Sequence, residues 1–108
     1  MQCRSLVPRN TRAGAIVIQA HPYRYHCYPL QPGLTDGIEV YNYSHNSEYN
    51  TEAEEYAAQY PEIILTSGAD THDADSVGFG GIATDERISD AQALIKVLRG
   101  GEYELIKP

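Results

Sequence analysis

Apolar positions along this chain fall into short blocks whose spacing alternates between the period of a strand and that of a helix. Ala15-Ile16-Val17-Ile18-Gln19-Ala20 is a nearly continuous apolar run of strand length, as expected of a strand buried on both faces. Gly37 to Tyr41 alternates instead, with Ile38 and Val40 on one face and Glu39 and Tyr41 on the other, because successive side chains of an extended backbone point to opposite sides. From Thr51 the period lengthens. Ala53, Tyr56, Ala57 and Tyr60 recur at helical spacing, which predicts a helix with one buried stripe, opened by a Thr51/Glu54 capping box and stopped by Pro61. Glu62 to Thr66 reads as a third strand, and Gly78-Phe79-Gly80-Gly81 as a turn into Ile82-Ala83-Thr84. A second helix is predicted from Ser89, boxed by Gln92, with Ala91, Leu94, Ile95 and Leu98 as its stripe and Gly100-Gly101 as its stop. Tyr103 to Ile106 reads as a last short strand, while residues 1–13 have no clear period and read as an irregular lead-in to a domain spanning 14–108.

This order predicts an α/β fold with about three to four mainly parallel strands and flanking helices. So few strands cannot close a barrel, so the 108 residues are one small domain or part of a larger one. Sheets of this kind carry their chemistry at the carboxyl ends of the strands.

Two predicted strands end in side chains that bind metals. The first runs into His21-Pro22; the third is followed, past Gly68, by Asp70-Thr71-His72. An aspartate and a histidine two residues apart on extended backbone share a face. Joined by His21, they make a carboxylate–imidazole set able to hold a divalent cation, with open positions for catalysis. Plainer readings stand beside this one: Ser67, Gly68 and Asp73 suit an Asx-type turn, and a lone histidine is more often a core residue bonded to a carbonyl. Arg24 reads as a phosphate-binding fork or as an exposed loop arginine. Glu39 reads as a partner to a metal-bound histidine or as a solvated strand residue, and His26 and His45 read as surface. The Gly78–Gly81 loop lacks the lysine and hydroxyl of a P-loop and reads as a turn. The tyrosine-rich stretches 23–28 and 41–49 suit stacking on a nucleoside or covering a sheet edge.

Composition narrows the field. With 42% hydrophobic residues the chain is globular, and 8 basic against 15 acidic residues give a net charge of −7. That argues against a nucleic-acid duplex as partner, though a bound cation can reverse the local potential for a small phosphorylated substrate. Cys3 and Cys27 form no metal-type pair and read as free thiols of a reducing compartment. Neither a signal-peptide core nor a membrane-spanning run is present; the longest wholly apolar stretch is Ala15 to Ile18. A cytoplasmic protein without a membrane partner is expected.

Three segments in order, Ala20-His21-Pro22-Tyr23-Arg24, Asp36-Gly37-Ile38-Glu39-Val40-Tyr41-Asn42 and Gly68-Ala69-Asp70-Thr71-His72, resemble the later motifs of PHP domains (polymerase and histidinol phosphatase). The terminal helix ending Leu98-Arg99-Gly100-Gly101 fits too, so the similarity covers roughly residues 14–106. PHP proteins are distorted βα-barrels that hydrolyse phosphoesters with divalent metals. The resemblance implies that His21 is the metal-binding histidine of the third family motif, and Asp70 and His72 the ligands of the fourth, for Zn, Mn or Fe. The family's opening His-x-His and its second-motif histidine and glutamate have no counterpart here. The expected function is therefore a metal-dependent phosphoesterase acting on a small phosphate ester, this chain carrying the C-terminal share of the site. The remaining ligands would come from a second copy, another subunit or a preceding N-terminal half. The alternative is a non-catalytic half-domain that self-associates and binds metal weakly. A metal or redox role for the two cysteines is disfavoured by their separation.

Overall fold

Ile38 and Val40, the apolar half of the alternating segment, are the centre of the core: 0% and 2% exposed. The computed structural model describes residues 14–31, 33–45 and 47–108; the expected lead-in at 1–13, with Cys3, lies outside the described residues. The elements are β1 (Ile18–Gln19), β2 (Gly37–Asn42), α1 (Ser47–Ala58), β3 (Ile64–Gly68), a 3-10 turn (Ala74–Ser76), β4 (Gly81–Ala83), α2 (Ala91–Gly100) and β5 (Glu104–Ile106). β1, β2 and β3 form a parallel sheet in that order, and β4 pairs with β5 antiparallel. The α/β class and a three-stranded parallel sheet with two helices are thus present. Among the described residues no helix is long and apolar enough to cross a membrane.

The first strand is shorter than its apolar run. Val17 is engaged by Asp36 rather than by a ladder: its N–H donates to the carboxylate (2.8 Å), and its carbonyl accepts from the Asp36 and Gly37 N–H groups. This clamp sets where β1 meets β2. α1 crosses from β2 to β3 and buries Ala53 and Ala57 against Ile38 and Val40, with Tyr23, Tyr56, Ile63, Leu65 and Leu105 around them.

Both predicted helix starts need correction. α1 begins at Ser47, about a turn before Thr51. Its first turn is pinned from outside: the Asn50 amide accepts from the Asn42 N–H (2.9 Å) and donates to the Asn42 carbonyl (3.2 Å). A tertiary clamp takes the place of the Thr51/Glu54 box, and both of those residues lie exposed within the helix. The cap of α2 is Asp90, not Ser89; its carboxylate accepts from the Ala93 N–H (2.8 Å). The Gln92 side chain donates to the Gly14 carbonyl instead (3.2 Å). Val97 and Leu98 are the buried residues of α2, and Leu94 is left 37% exposed. Its end follows expectation: Gly101 at φ +76° returns its N–H to the Val97 carbonyl, the left-handed stop that favours glycine.

A bulge in β2 brings two polar side chains together at the end of the strand. The register shifts between Glu39 and Tyr41, so strict alternation, which would send residues 39 and 42 to opposite faces, breaks down. The Asn42 amide consequently donates to the Glu39 carboxylate (2.8 Å). The β4/β5 pair is tied to β3 by side chains: Ser67 Oγ donates to the Ile106 carbonyl (2.5 Å) and the Tyr103 hydroxyl to the Leu65 carbonyl (2.7 Å).

Candidate functional site

Three parallel strands side by side bring their carboxyl ends to one edge, and there the chain turns sharply each time. His21, just past β1, sits at φ +30°, and Asp70, just past β3, at φ +51°. Such values are uncommon for residues other than glycine and collect at functional positions. Past β2 the turn is fastened to the end of β3, with the Tyr43 N–H on the Gly68 carbonyl (2.9 Å) and Ser44 Oγ on the Ala69 carbonyl (2.6 Å).

Asp70 is the hub. Its Oδ2 accepts from the Asn42 amide (3.1 Å) and lies 3.0 Å from His45 Nε2; its Oδ1 lies 3.6 Å from His72 Nδ1. Partial burial alone would push this carboxyl up, but the hydrogen bonds from Asn42 and His45, with the neighbouring His45 and His72 imidazoles, outweigh it and hold it below the ordinary carboxylate range. An ionised carboxylate only accepts, so His45 Nε2 carries a proton. His72 Nδ1 meets the Asp70 carbonyl at 2.7 Å. A carbonyl also only accepts, so this nitrogen is the donor, and in the neutral ring Nε2 is the nitrogen with the lone pair, on a side chain 83% exposed. Glu39 completes the cluster by accepting from the His21 N–H (3.0 Å) and from Asn42. The almost fully buried Asn42 therefore bridges two carboxylates with one amide.

The expected site residues divide as follows. Asp70 and His72 meet. His21 lies beside them by way of His45, whose ring it stacks on at 5.3 Å between centroids; its own Nδ1 is buried without a hydrogen-bond partner. Arg24 is exposed, and only its backbone is engaged, in a turn closed by its N–H on the His21 carbonyl (3.1 Å). Glu39 is a bonded member of the cluster rather than a solvated residue. The Asx geometry expected near Asp70 belongs to Asp73, whose carboxylate accepts from the Asp75 and Ser76 N–H groups.

His45 corrects the sequence reading. In place of the expected surface position, its side chain is 14% exposed and paired with Asp70. Its position three residues past the end of β2, at the same sheet edge as His21 and Asp70, is the signal that could have found it. His26 does lie exposed, against the Tyr25 ring.

Imidazole and carboxylate donors suit Zn, Mn or Fe, and the orphaned His21 nitrogen and the lone pair of His72 are of the right chemistry. Among the described residues, however, no three His, Cys, Asp or Glu side chains are grouped to hold a cation. The donors fit a metal in kind, and closing a shell needs further ones. The glycine turn after Asp70 contributes by proximity: a Cβ on Gly80 would run into the Gly68 carbonyl group and approach the Ala69 nitrogen to 2.5 Å. Gly80→Ala should thus lift the 78–81 turn off the end of β3, costing about 1–3 kcal/mol, readable by chemical denaturation; an unchanged midpoint would contradict this packing.

Comparison with known proteins adds no relative: no family model, curated protein or solved structure matches the chain.

Proposed function

We propose that the strand-end cluster is the C-terminal share of a divalent-metal phosphoesterase site, with His21, Asp70 and His72 as ligands and Arg24 meeting the phosphoryl oxygens of a small phosphate ester. The observation that carries this reading is the His72 Nδ1 contact with the Asp70 carbonyl (2.7 Å). Metal-binding imidazoles are typically held so, one nitrogen on a carbonyl and the other presented to the ion. Zn, Mn or Fe bound there would supply Lewis acidity for transfer of the phosphoryl group to water. The protein's own part is orientation: Asn42 and His45 aim the Asp70 carboxylate, and Asn42 aims Glu39. Arg24, whose guanidinium has no partner among the described residues, is free to form a bidentate fork on phosphate. A cytoplasmic setting goes with the free Cys27 thiol.

The second reading, a half-domain that binds metal weakly and self-associates, is favoured by the missing third grouped donor. On either reading the open edge of β1, which pairs with β2 alone among the described residues, invites another strand. Light scattering should give a mass above 12.0 kDa that rises with concentration, and a constant 12.0 kDa would rule out self-association. Calorimetric titration with Zn or Mn, followed by turnover assays, separates the two functions. The phosphoesterase reading expects weak binding by this chain, and chelator-sensitive hydrolysis once a segment supplying His-x-His is added. The half-domain reading expects no turnover in either case.

A further inference from the structure

Tyr43 and Phe79 are large aromatic residues left 42% and 40% exposed, and their rings lie together, tilted 42° to each other with centroids 4.8 Å apart. Other exposed tyrosines, Tyr25 and Tyr28, sit in the 20–36 connection. What sets Tyr43 and Phe79 apart is the backbone beneath them. The Tyr43 N–H is bonded to the Gly68 carbonyl, and the next residue, Ser44, is bonded through Oγ to the Ala69 and Asp70 carbonyls (2.6 and 3.2 Å). Phe79 precedes Gly80, whose backbone lies against Gly68 and Ala69, and its own N–H donates to the Ser76 carbonyl (3.3 Å). The Tyr43 ring thus rises from a segment bonded to the Gly68–Asp70 stretch, which carries the hub carboxylate, and the Phe79 ring from a turn packed against that stretch.

We infer that Tyr43 and Phe79 form a stacking platform at the rim of the strand-end site, and that the phosphate ester it takes carries a flat aromatic group. This rests on the phosphoesterase reading above. Exposed aromatic faces held in place before binding stack on a planar ring at little entropic cost, and the attraction is tolerant of ring identity because every such ring has a π face. A net charge of −7 disfavours a long polyanion, so the chemistry is that of a small monoester whose alcohol side is a nucleoside or an aryl group.

The chain's single phenylalanine is Phe79, so a phenylalanine label reports on the platform alone. Protein carrying 13C only in its phenylalanine ring is titrated, with Zn present, with AMP, phenyl phosphate, ribose 5-phosphate and adenosine. AMP and phenyl phosphate should shift the Phe79 ring signals upfield and saturate; ribose 5-phosphate should leave them in place. Phe79→Leu should weaken AMP binding roughly tenfold, the scale of one stacked base, and leave ribose 5-phosphate binding unchanged. Tyr43→Leu should do the same, which guards against a fold defect in one variant. Tighter binding of AMP than of phenyl phosphate assigns a nucleoside, and the reverse an aryl ester. If AMP and ribose 5-phosphate bind equally, Asp70→Asn weakens both and Phe79 stays silent, the platform is wrong while the phosphoesterase reading stands. If adenosine shifts Phe79 as strongly as AMP and Asp70→Asn changes neither, the rings do stack but the phosphate site is elsewhere, overturning the combined inference. No shift from AMP or phenyl phosphate at millimolar concentration also overturns it.

Discussion

Asp70→Ala should cut metal affinity by more than roughly a hundredfold and abolish any chelator-sensitive phosphoester hydrolysis obtained once the remaining donors are supplied. Even groups that only support a metal ligand are worth about 10–100-fold, and Asp70 is proposed as the ligand that also balances the cation's charge. The substitution has a structural cost as well. It leaves the Asn42 amide and the His45 Nε2–H without the acceptor they meet at 3.1 and 3.0 Å, and because both contacts are only partly buried the cost should fall towards the lower end of about 1–3 kcal/mol for each donor left unpaired. Asp70→Asn keeps an oxygen acceptor and separates the two effects, losing affinity while retaining most of the stability. The carboxyl also predicts a pH dependence. Its value in the folded chain is lowered, so its stabilising contribution is present above the ordinary aspartate value of about 3.9 and is lost as pH falls through the lowered one. Acid unfolding of the parent should therefore steepen below about pH 4 relative to Asp70→Asn; superimposable profiles would show that the carboxylate is not held as described.

Ile38→Ala should have the largest effect on stability. Ile38 is fully buried between the sheet and α1, among Val40, Ala53 and Ala57. Both helix residues there are alanines, so neither is long enough to fill the space left, and the loss should lie towards the upper part of the usual range of about 2–5 kcal/mol. Against a typical stability of about 5–15 kcal/mol that is a large fraction, and Tm should fall by more than about 10 °C. Leu94→Ala, on the exposed shoulder of α2, serves as the control and should cost much less. A smaller change at Ile38 than at Leu94 would mean that the core lies elsewhere.

The elements that could be read from the sequence are those with local causes. The alternation of Ile38 and Val40 produced β2, and the stripe of Ala53 and Ala57 produced α1 and its buried face. Gly101 in a left-handed turn ended α2 where expected. What could not be read had tertiary causes. Asn50 starts α1 early because the end of β2 is there to bond it, and Asp36 shortens β1 by reaching across to Val17. Spacing places neither contact in advance. The site divides in the same way. His21, Asp70 and His72 stand out in the sequence because they lie just past apolar runs, whereas His45 belongs to the cluster only because parallel pairing lays the end of β2 between the other two. Glu39 and Asn42 meet through a bulge, a one-residue departure from alternation that no periodic reading contains.

Whether the carboxyl ends of β1 and β3 hold a divalent cation is decided by anomalous diffraction from crystals grown with zinc. A strong peak is expected at the strand ends, about 2.0–2.2 Å from His72 Nε2 and an Asp70 carboxylate oxygen, with the His21 ring turned towards it and any further donors arriving from a neighbouring copy or water. Zinc found elsewhere, with Asp70 still bonded to Asn42 and His45 and no density beside His72, would contradict the proposed site.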